Sequence, residues 1–259
     1  MKLSIEQVID YQRCPLLYKF RHIDDVDVRL NGGPYRTPNQ KYVAEYFDYA
    51  MHNVVYGIFH QFADGRYPNA YYVKKRWGQL WNAGRTKEDI IIDTGSWRND
   101  LRKREKQGLD SLLSVHSDFQ SNPGTPILIG KGYSIPVGNH ELVGTIEMVR
   151  EVDGIIELMD FKTDDRPIAL HVKGDMAVTA ASLAFRKLFG YKEERIAYYG
   201  LLSRKTQYTQ RDKRDFALLE RTVDNVARGI ESGIIYPVMN SRCQECPFQK
   251  HCEKREWFE

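Results

Sequence analysis

The spacing of four cysteines constrains this chain more than any other feature. Three lie in Cys243-Gln244-Glu245-Cys246-Pro247-Phe248-Gln249-Lys250-His251-Cys252, a C-x2-C-x5-C run, and the fourth is Cys14. Tetrahedral thiolate sites take four sulfurs, and the chain has four in total. A shared site would staple the first turn of the chain to the last, so the fold must bring its two ends together. Zinc and an iron–sulfur cluster both satisfy such a set, and spacing does not choose between them. The stretch Met1-Lys2-Leu3-Ser4-Ile5-Glu6-Gln7 lacks the apolar region of a signal peptide, and no stretch approaches membrane-spanning length. A cytoplasmic setting with no membrane partner is therefore expected, where structural disulfides are rare.

A second constraint lies in the middle of the chain. Gly144-Thr145-Ile146-Glu147 and Leu158-Met159-Asp160-Phe161-Lys162-Thr163 stand on either side of Asp153-Gly154, a strong turn signal between apolar β-formers. In a strand, residues two apart share a face, so Asp160 and Lys162 project together while Phe161 points into the core. Glu147 on the preceding strand reaches the same place. Two carboxylates and an ammonium converging at a sheet suit divalent metal ions acting on phosphate. Taken alone, so short a motif is more often a surface hairpin with solvated charges.

The rest of the chain supplies a mixed α/β order. Ser4 with Gln7 forms a capping-box pattern that starts a helix bearing Ile5, Val8 and Ile9, and Cys14-Pro15 should end it. Leu16 to Arg21 restarts as a short helix, and Asp24 to Gln40 reads as a loop. From Lys41 to Phe62 the pattern is helical, with Val43, Phe47, Val54 and Ile58 in register and His52 on the other side, nearer Val55 and Phe59. A lone helical histidine is usually a packed or solvent-edge residue. Strands follow at about 127–136, 141–150 and 155–162, then a helix over 175–189 stopped by Gly190 and a strand over 195–203. Arg204 to Arg214 reads as a polar, basic loop. The last long helix, about 215–231, carries Phe216, Leu219, Val223, Val226 and Ile230 on one stripe.

Between these parts, residues 64–125 read as a mostly helical insertion. Lys74, Lys75, Arg76 and Trp77 sit beside Tyr71, Tyr72 and Trp81, and a second basic run follows at Arg98, Arg102, Lys103, Arg104 and Lys106. Cations beside aromatics suit a nucleic-acid channel, through phosphate contact and base stacking. A solvated amphipathic helix explains the same residues equally well. The net charge of +3 over 259 residues permits nucleic-acid binding without arguing for it.

Taken in order, these residues resemble the RecB-like branch of the PD-(D/E)XK nucleases. The nearest likeness is to its iron–sulfur members, the AddB nuclease domain and the CRISPR-associated RecB-type exonucleases. Ser4 to Arg21 matches the family's short helix, Cys-Pro and Tyr. His52 falls where the family places a metal-binding histidine, and Gly144-Thr145-Ile146-Glu147 matches its Gly-x-Ile-Asp strand. Asp160-Phe161-Lys162-Thr163 matches Asp-Tyr-Lys-Thr, and Gly233-Ile234-Ile235-Tyr236-Pro237 with the cysteine triplet matches the cluster motif. Two positions depart: Glu147 replaces the family aspartate, and Met176 and Ala180 stand where a Gln-x-x-x-Tyr is expected.

The resemblance implies a restriction-endonuclease-like α/β core, a mixed sheet flanked by helices. It implies one domain over 1–259, with cluster-binding ends at 1–22 and 233–259, a helical insertion at 64–125 and a catalytic core at 126–203. The implied activity is a Mg²⁺- or Mn²⁺-dependent deoxyribonuclease, an exonuclease on single-stranded or end-bearing DNA. CRISPR-adaptation or recombination proteins would be its protein partners. Glu147, Asp160 and Lys162 would be catalytic. His52, Glu147, Asp160 and the Phe161 carbonyl would hold the metal, and Cys14, Cys243, Cys246 and Cys252 a [4Fe–4S] cluster. Lys74, Lys75, Arg76 and Trp77 would contact DNA. The rival from another class is a non-catalytic DNA-binding or assembly subunit on the same fold, favoured by the missing Gln-x-x-x-Tyr and opposed by the intact Glu/Asp/Lys set.

Overall fold

A computed structural model describes residues 1–24, 41–86, 90–91, 97–163, 172–246 and 248–253. The chain opens with a strand that its short length hid from pattern reading, β1 (Lys2–Ser4), and passes into α1 (Ile5–Arg13). The capping box forms: Gln7 N–H donates to Ser4 Oγ at 3.1 Å, and Ser4 N–H to Gln7 Oε1 at 2.8 Å. The buried face of α1 is Ile5, Val8 and Tyr11, and Ile9, expected beside them, is exposed instead. Cys14 is extended before Pro15 and ends the helix, and α2 (Pro15–Tyr18) restarts with proline in its first turn and runs into a π-helical turn, Lys19–Ile23. Apart from Asp24, the loop expected over 24–40 lies outside the described residues.

A helical layer follows: β2 (Lys41–Tyr42), α3 (Val43–Ala63), α4 (Ala70–Thr86), β3 (Ile90–Ile91), which pairs with β2, and α5 (Trp97–Gln120). Next come β4 (Thr125–Val137), β5 (His140–Val152), β6 (Ile155–Lys162), α6 (Met176–Phe189), β7 (Arg195–Gly200), β8 (Thr206–Thr209) and α7 (Lys213–Glu231). The tail adds a 3-10 turn, Ser241–Glu245, and α8 (Gln249–Glu253). The basic loop expected after β7 therefore contains a strand. Four residues are too few to show a period, and β8 is held by antiparallel pairing to β7.

Six strands form one mixed sheet in the order β1-β5-β6-β7-β8, with β4 on the other edge of β5. The β5–β6 hairpin turns at Asp153 and Gly154, both at positive φ (53° and 78°), the pairing that a two-residue hairpin loop needs. One face of the sheet packs Ile135, Leu142, Leu158 and Ile196 against α1, α6 and α7. The other packs Met148, Met159, Phe161 and Tyr199 against α3, α4 and α5. At the β6 hairpin end, fully buried Glu157 accepts from Arg150 at 2.7 and 2.9 Å and from Arg195 at 2.6 Å. Among the described residues, no helix is long and apolar enough to cross a membrane.

Candidate active site

Along one edge, β5 changes partners. Residues 141–143 pair with β1 and residues 148–152 pair with β6. Residues 144–147 therefore face a fork, where β6 runs on toward Lys162 beside β7. Gly144 opens this fork because Tyr133 of β4 lies over it: a Cβ there would meet the Tyr133 hydroxyl at 2.4 Å. At the fork, the Phe161 N–H has no ladder partner from β5 and donates instead to Glu147 Oε2 at 2.5 Å. The Phe161 ring is buried against Phe59 and Tyr199, which fixes the rotation of β6 and turns Asp160 and Lys162 to its other face. There Lys162 Nζ lies 2.7 Å from Asp160 Oδ2.

From above the fork, α3 lowers His52. Its Nε2 is 3.1 Å from the Phe161 carbonyl oxygen and 3.5 Å from Glu147 Oε1. Its Nδ1 donates to the Asp48 carbonyl at 2.8 Å, one helical turn back. Asp48 is tied in turn to β6, since Thr163 Oγ1 donates to Asp48 Oδ1. The structure thus brings His52, Glu147, Asp160, Lys162 and the Phe161 carbonyl into one place, drawn from α3, β5 and β6.

Charge is crowded here. Burial and the Glu147 carboxylate push Asp160 up to about 7, against the pull of Lys162. Burial alone would lower His52, but Glu147 and Asp48 outweigh it and raise it to about 10. Burial alone would raise Glu147, yet His52, Lys162 and the Phe161 N–H hold it below the usual carboxylate range. Lys162 is likewise pulled down by burial and lifted further by Asp160, Glu147 and Asp175, so it stays charged.

This donor set suits a hard divalent cation: carboxylate and carbonyl oxygens with one imidazole nitrogen. Asp160 Oδ2 is buried, and the Lys162 ammonium stands 2.7 Å from it, so this oxygen already sits in a place that takes a cation. As placed, no three His, Cys, Asp or Glu side chains among the described residues close around an ion. Glu147 is engaged by His52 and the Phe161 N–H, and Asp160 by Lys162, so a cation held here would have to replace those contacts.

Sequence reasoning missed three neighbours. Asp48 was signalled by its i−4 position from His52. Asp175 was signalled as an acidic residue opening α6, where it accepts the Val178 N–H at 3.1 Å. Tyr198 belongs to the alternation that marks the strand over 195–203 but carries no site signal of its own, and its hydroxyl donates to Asp175 Oδ2 at 3.2 Å. Met176 packs against the core and Ala180 is fully buried within it, so neither offers a polar group to this site.

Cys14, Cys243, Cys246 and Cys252 line one pocket of about 140 Å³ walled by Leu16, Leu17, Phe20 and Phe248. The Val238 N–H points at Cys14 Sγ and the Asn240 N–H at Cys243 Sγ, both at 3.4 Å. Burial raises the Cys252 thiol, and nearby Cys14, Cys246 and Cys243 add to the rise. Two backbone donors aim at sulfur and the wall is apolar, but as placed no three of these thiols close around an ion among the described residues.

The basic segment needs one correction. Lys74, Lys75 and Arg76 are exposed on α4, but Trp77, expected beside them as a stacking surface, is 2% exposed. It stacks on Trp81 and donates to the Glu105 carbonyl at 3.1 Å. Helical periodicity places it with Val73 and Trp81 on the buried side.

A family model described as the PD-(D/E)XK nuclease superfamily matches residues 2–253. A solved structure described as "Crystal structure of SSO0001" is 12% identical, with a TM-score of 0.34 over 85% of this chain and 88% of that one. No curated protein matches.

Proposed function

Because the chain belongs to the PD-(D/E)XK nuclease superfamily, we propose that it hydrolyses DNA phosphodiesters with Mg²⁺ or Mn²⁺, as a RecB-like nuclease carrying an iron–sulfur cluster. The observation that carries this reading is the meeting of Glu147, Asp160, His52 and the Phe161 carbonyl beside a charged lysine at the β5 fork. Those four groups would hold the metal. When bound, a divalent cation neutralises charge at the scissile phosphate and acidifies water beside it. The Asp48 carbonyl keeps a proton on His52 Nδ1 and so leaves Nε2 to ligate. The Lys162 ammonium offers its positive charge to the phosphate oxygens as negative charge builds on them. Glu147 in place of aspartate still supplies an oxygen, on a side chain one methylene longer.

We assign the pocket of four thiols to a [4Fe–4S] cluster with a structural role, since it joins the ends of the chain. In support, Leu16 N–H donates to the Tyr236 carbonyl at 3.2 Å and Tyr11 O–H to the Ile234 carbonyl at 2.7 Å, so the two ends already meet beside it. One observation favours a second reading, a DNA-binding subunit without catalysis: Ala180 is buried and Met176 packed where the family's polar pair would stand. The deciding experiment incubates anaerobically purified protein with single- and double-stranded DNA, ends free or blocked, in Mn²⁺ and in Mg²⁺. Metal-dependent cleavage lost in Asp160→Ala supports the nuclease. Binding without cleavage by well-folded wild type refutes it.

A further inference from the structure

The mechanism leaves one charged residue of the site unused. Asp175 caps α6 through Oδ1, and its other oxygen, Oδ2, accepts the Tyr198 O–H and lies 4.0 Å from Lys162 Nζ. The same ammonium stands 5.2 Å from the centre of the Tyr198 ring. The backbone that carries Asp175 is pinned from behind by Arg211, which is 4% exposed. That guanidinium donates to the Val172 carbonyl at 2.6 Å, to the Asp175 carbonyl at 3.4 Å and to Thr179 Oγ1 at 2.8 Å. The place of the carboxylate is therefore set by a helix end, by β7 and by a buried cation, independently of Lys162.

Lys162 now rests on Asp160, at 2.7 Å from Oδ2. That contact conflicts with metal binding: the same carboxylate would serve both an ammonium and a divalent cation, and the two cations repel at such range. We infer that Asp175 is the second seat of Lys162, a positioning residue that receives the ammonium when Asp160 turns to the metal and keeps it aimed at the substrate phosphate. The move is small, since closing the present 4.0 Å to an ordinary charge-assisted hydrogen bond takes about 1 Å. The Tyr198 ring lies alongside and accommodates the cation in either seat. This inference rests on the proposed roles of Asp160 and Lys162.

The test is Mn²⁺ binding, measured by calorimetry in a double-mutant cycle between Asp175→Asn and Lys162→Met. Asparagine caps a helix as well as aspartate does through its one oxygen, and its amide nitrogen, standing in the place of Oδ2, donates to the Tyr198 hydroxyl oxygen, so the substitution removes charge and leaves the melting temperature nearly in place. With Lys162 present, Asp175→Asn should weaken Mn²⁺ by about fivefold or more, because the displaced ammonium has nowhere to go. In the Lys162→Met background the loss should be less than about twofold, the residue of a distant charge. The same fold-change in both backgrounds overturns the inference. Turnover on DNA gives an independent reading: kcat for Asp175→Asn should fall about tenfold with KM within about twofold, and Asp175→Glu should recover part of it. Full activity in Asp175→Asn also overturns it. Wild type that cleaves no DNA sinks the nuclease reading, while the Mn²⁺ cycle still decides whether Asp175 takes up Lys162.

Discussion

Metal binding at the β5 fork should be a competition with protons, and its pH dependence can be worked out from the site. His52 is held up to about 10 by Glu147 and Asp48, and Asp160 is pushed up to about 7 by burial and Glu147. Both ligate only after losing a proton, so affinity rises with pH. Between pH 6 and 8, His52 lies below its pKa throughout and contributes about a hundredfold gain, while Asp160 crosses its own and contributes about tenfold. The apparent Mn²⁺ affinity should therefore rise about a thousandfold, or about 4 kcal/mol, across that range. Calorimetry in buffers of different ionisation enthalpy counts the protons directly. Binding should release about two protons at pH 6 and about one at pH 8, and His52→Ala should remove one proton at both. Affinity that is flat between pH 6 and 8, with no proton released, would refute the assignment of His52 and Asp160 as ligands.

Four further outcomes follow from named contacts. Lys162→Ala should leave Mn²⁺ bound but cut kcat by about a hundredfold or more, seen in single-turnover cleavage. Cys246→Ala should abolish the brown absorbance of anaerobically purified protein and promote aggregation, whereas a colourless wild type with stoichiometric zinc excludes iron. Neutralising Lys74, Lys75 and Arg76 together should flatten the slope of log K against log salt for DNA by about two to three, and an unchanged slope returns α4 to a solvated face. Arg150→Met leaves buried Glu157 with Arg195 alone, and should destabilise by about 3–5 kcal/mol in denaturant unfolding.

What the sequence revealed depended on whether the signal was local. The Ser4–Gln7 capping box, the Asp153-Gly154 turn and the Gly190 stop each act within a few residues, and each stands where its chemistry puts it. The Asp160/Lys162 face also follows from the two-residue period of a strand. β1 and β8 were illegible because three or four residues carry no period, and their order comes from partners far along the chain. Trp77 was misplaced by composition: its cationic neighbours were read as a surface, while the spacing of Val73, Trp77 and Trp81 already marked a buried stripe. The closeness of Asp175 to Lys162 is set by the packing of α6 against the sheet, which no short window of sequence encodes.

The joining of the chain's ends has a consequence for how the molecule is made. Tyr11 finds its carbonyl partner 223 residues away, and β1 completes its ladder with residues about as far off as the middle of the chain. Such contacts are entropically late, since each closes a very long loop before it returns any energy. During synthesis, α1 has neither α7 nor the segment after it for cover until about 200 further residues have emerged. Folding should therefore finish in one slow closing step, with the apolar side of α1 exposed to chaperones or to aggregation until then. A group bound by all four thiols would act at that step, holding the closed state by its own binding free energy.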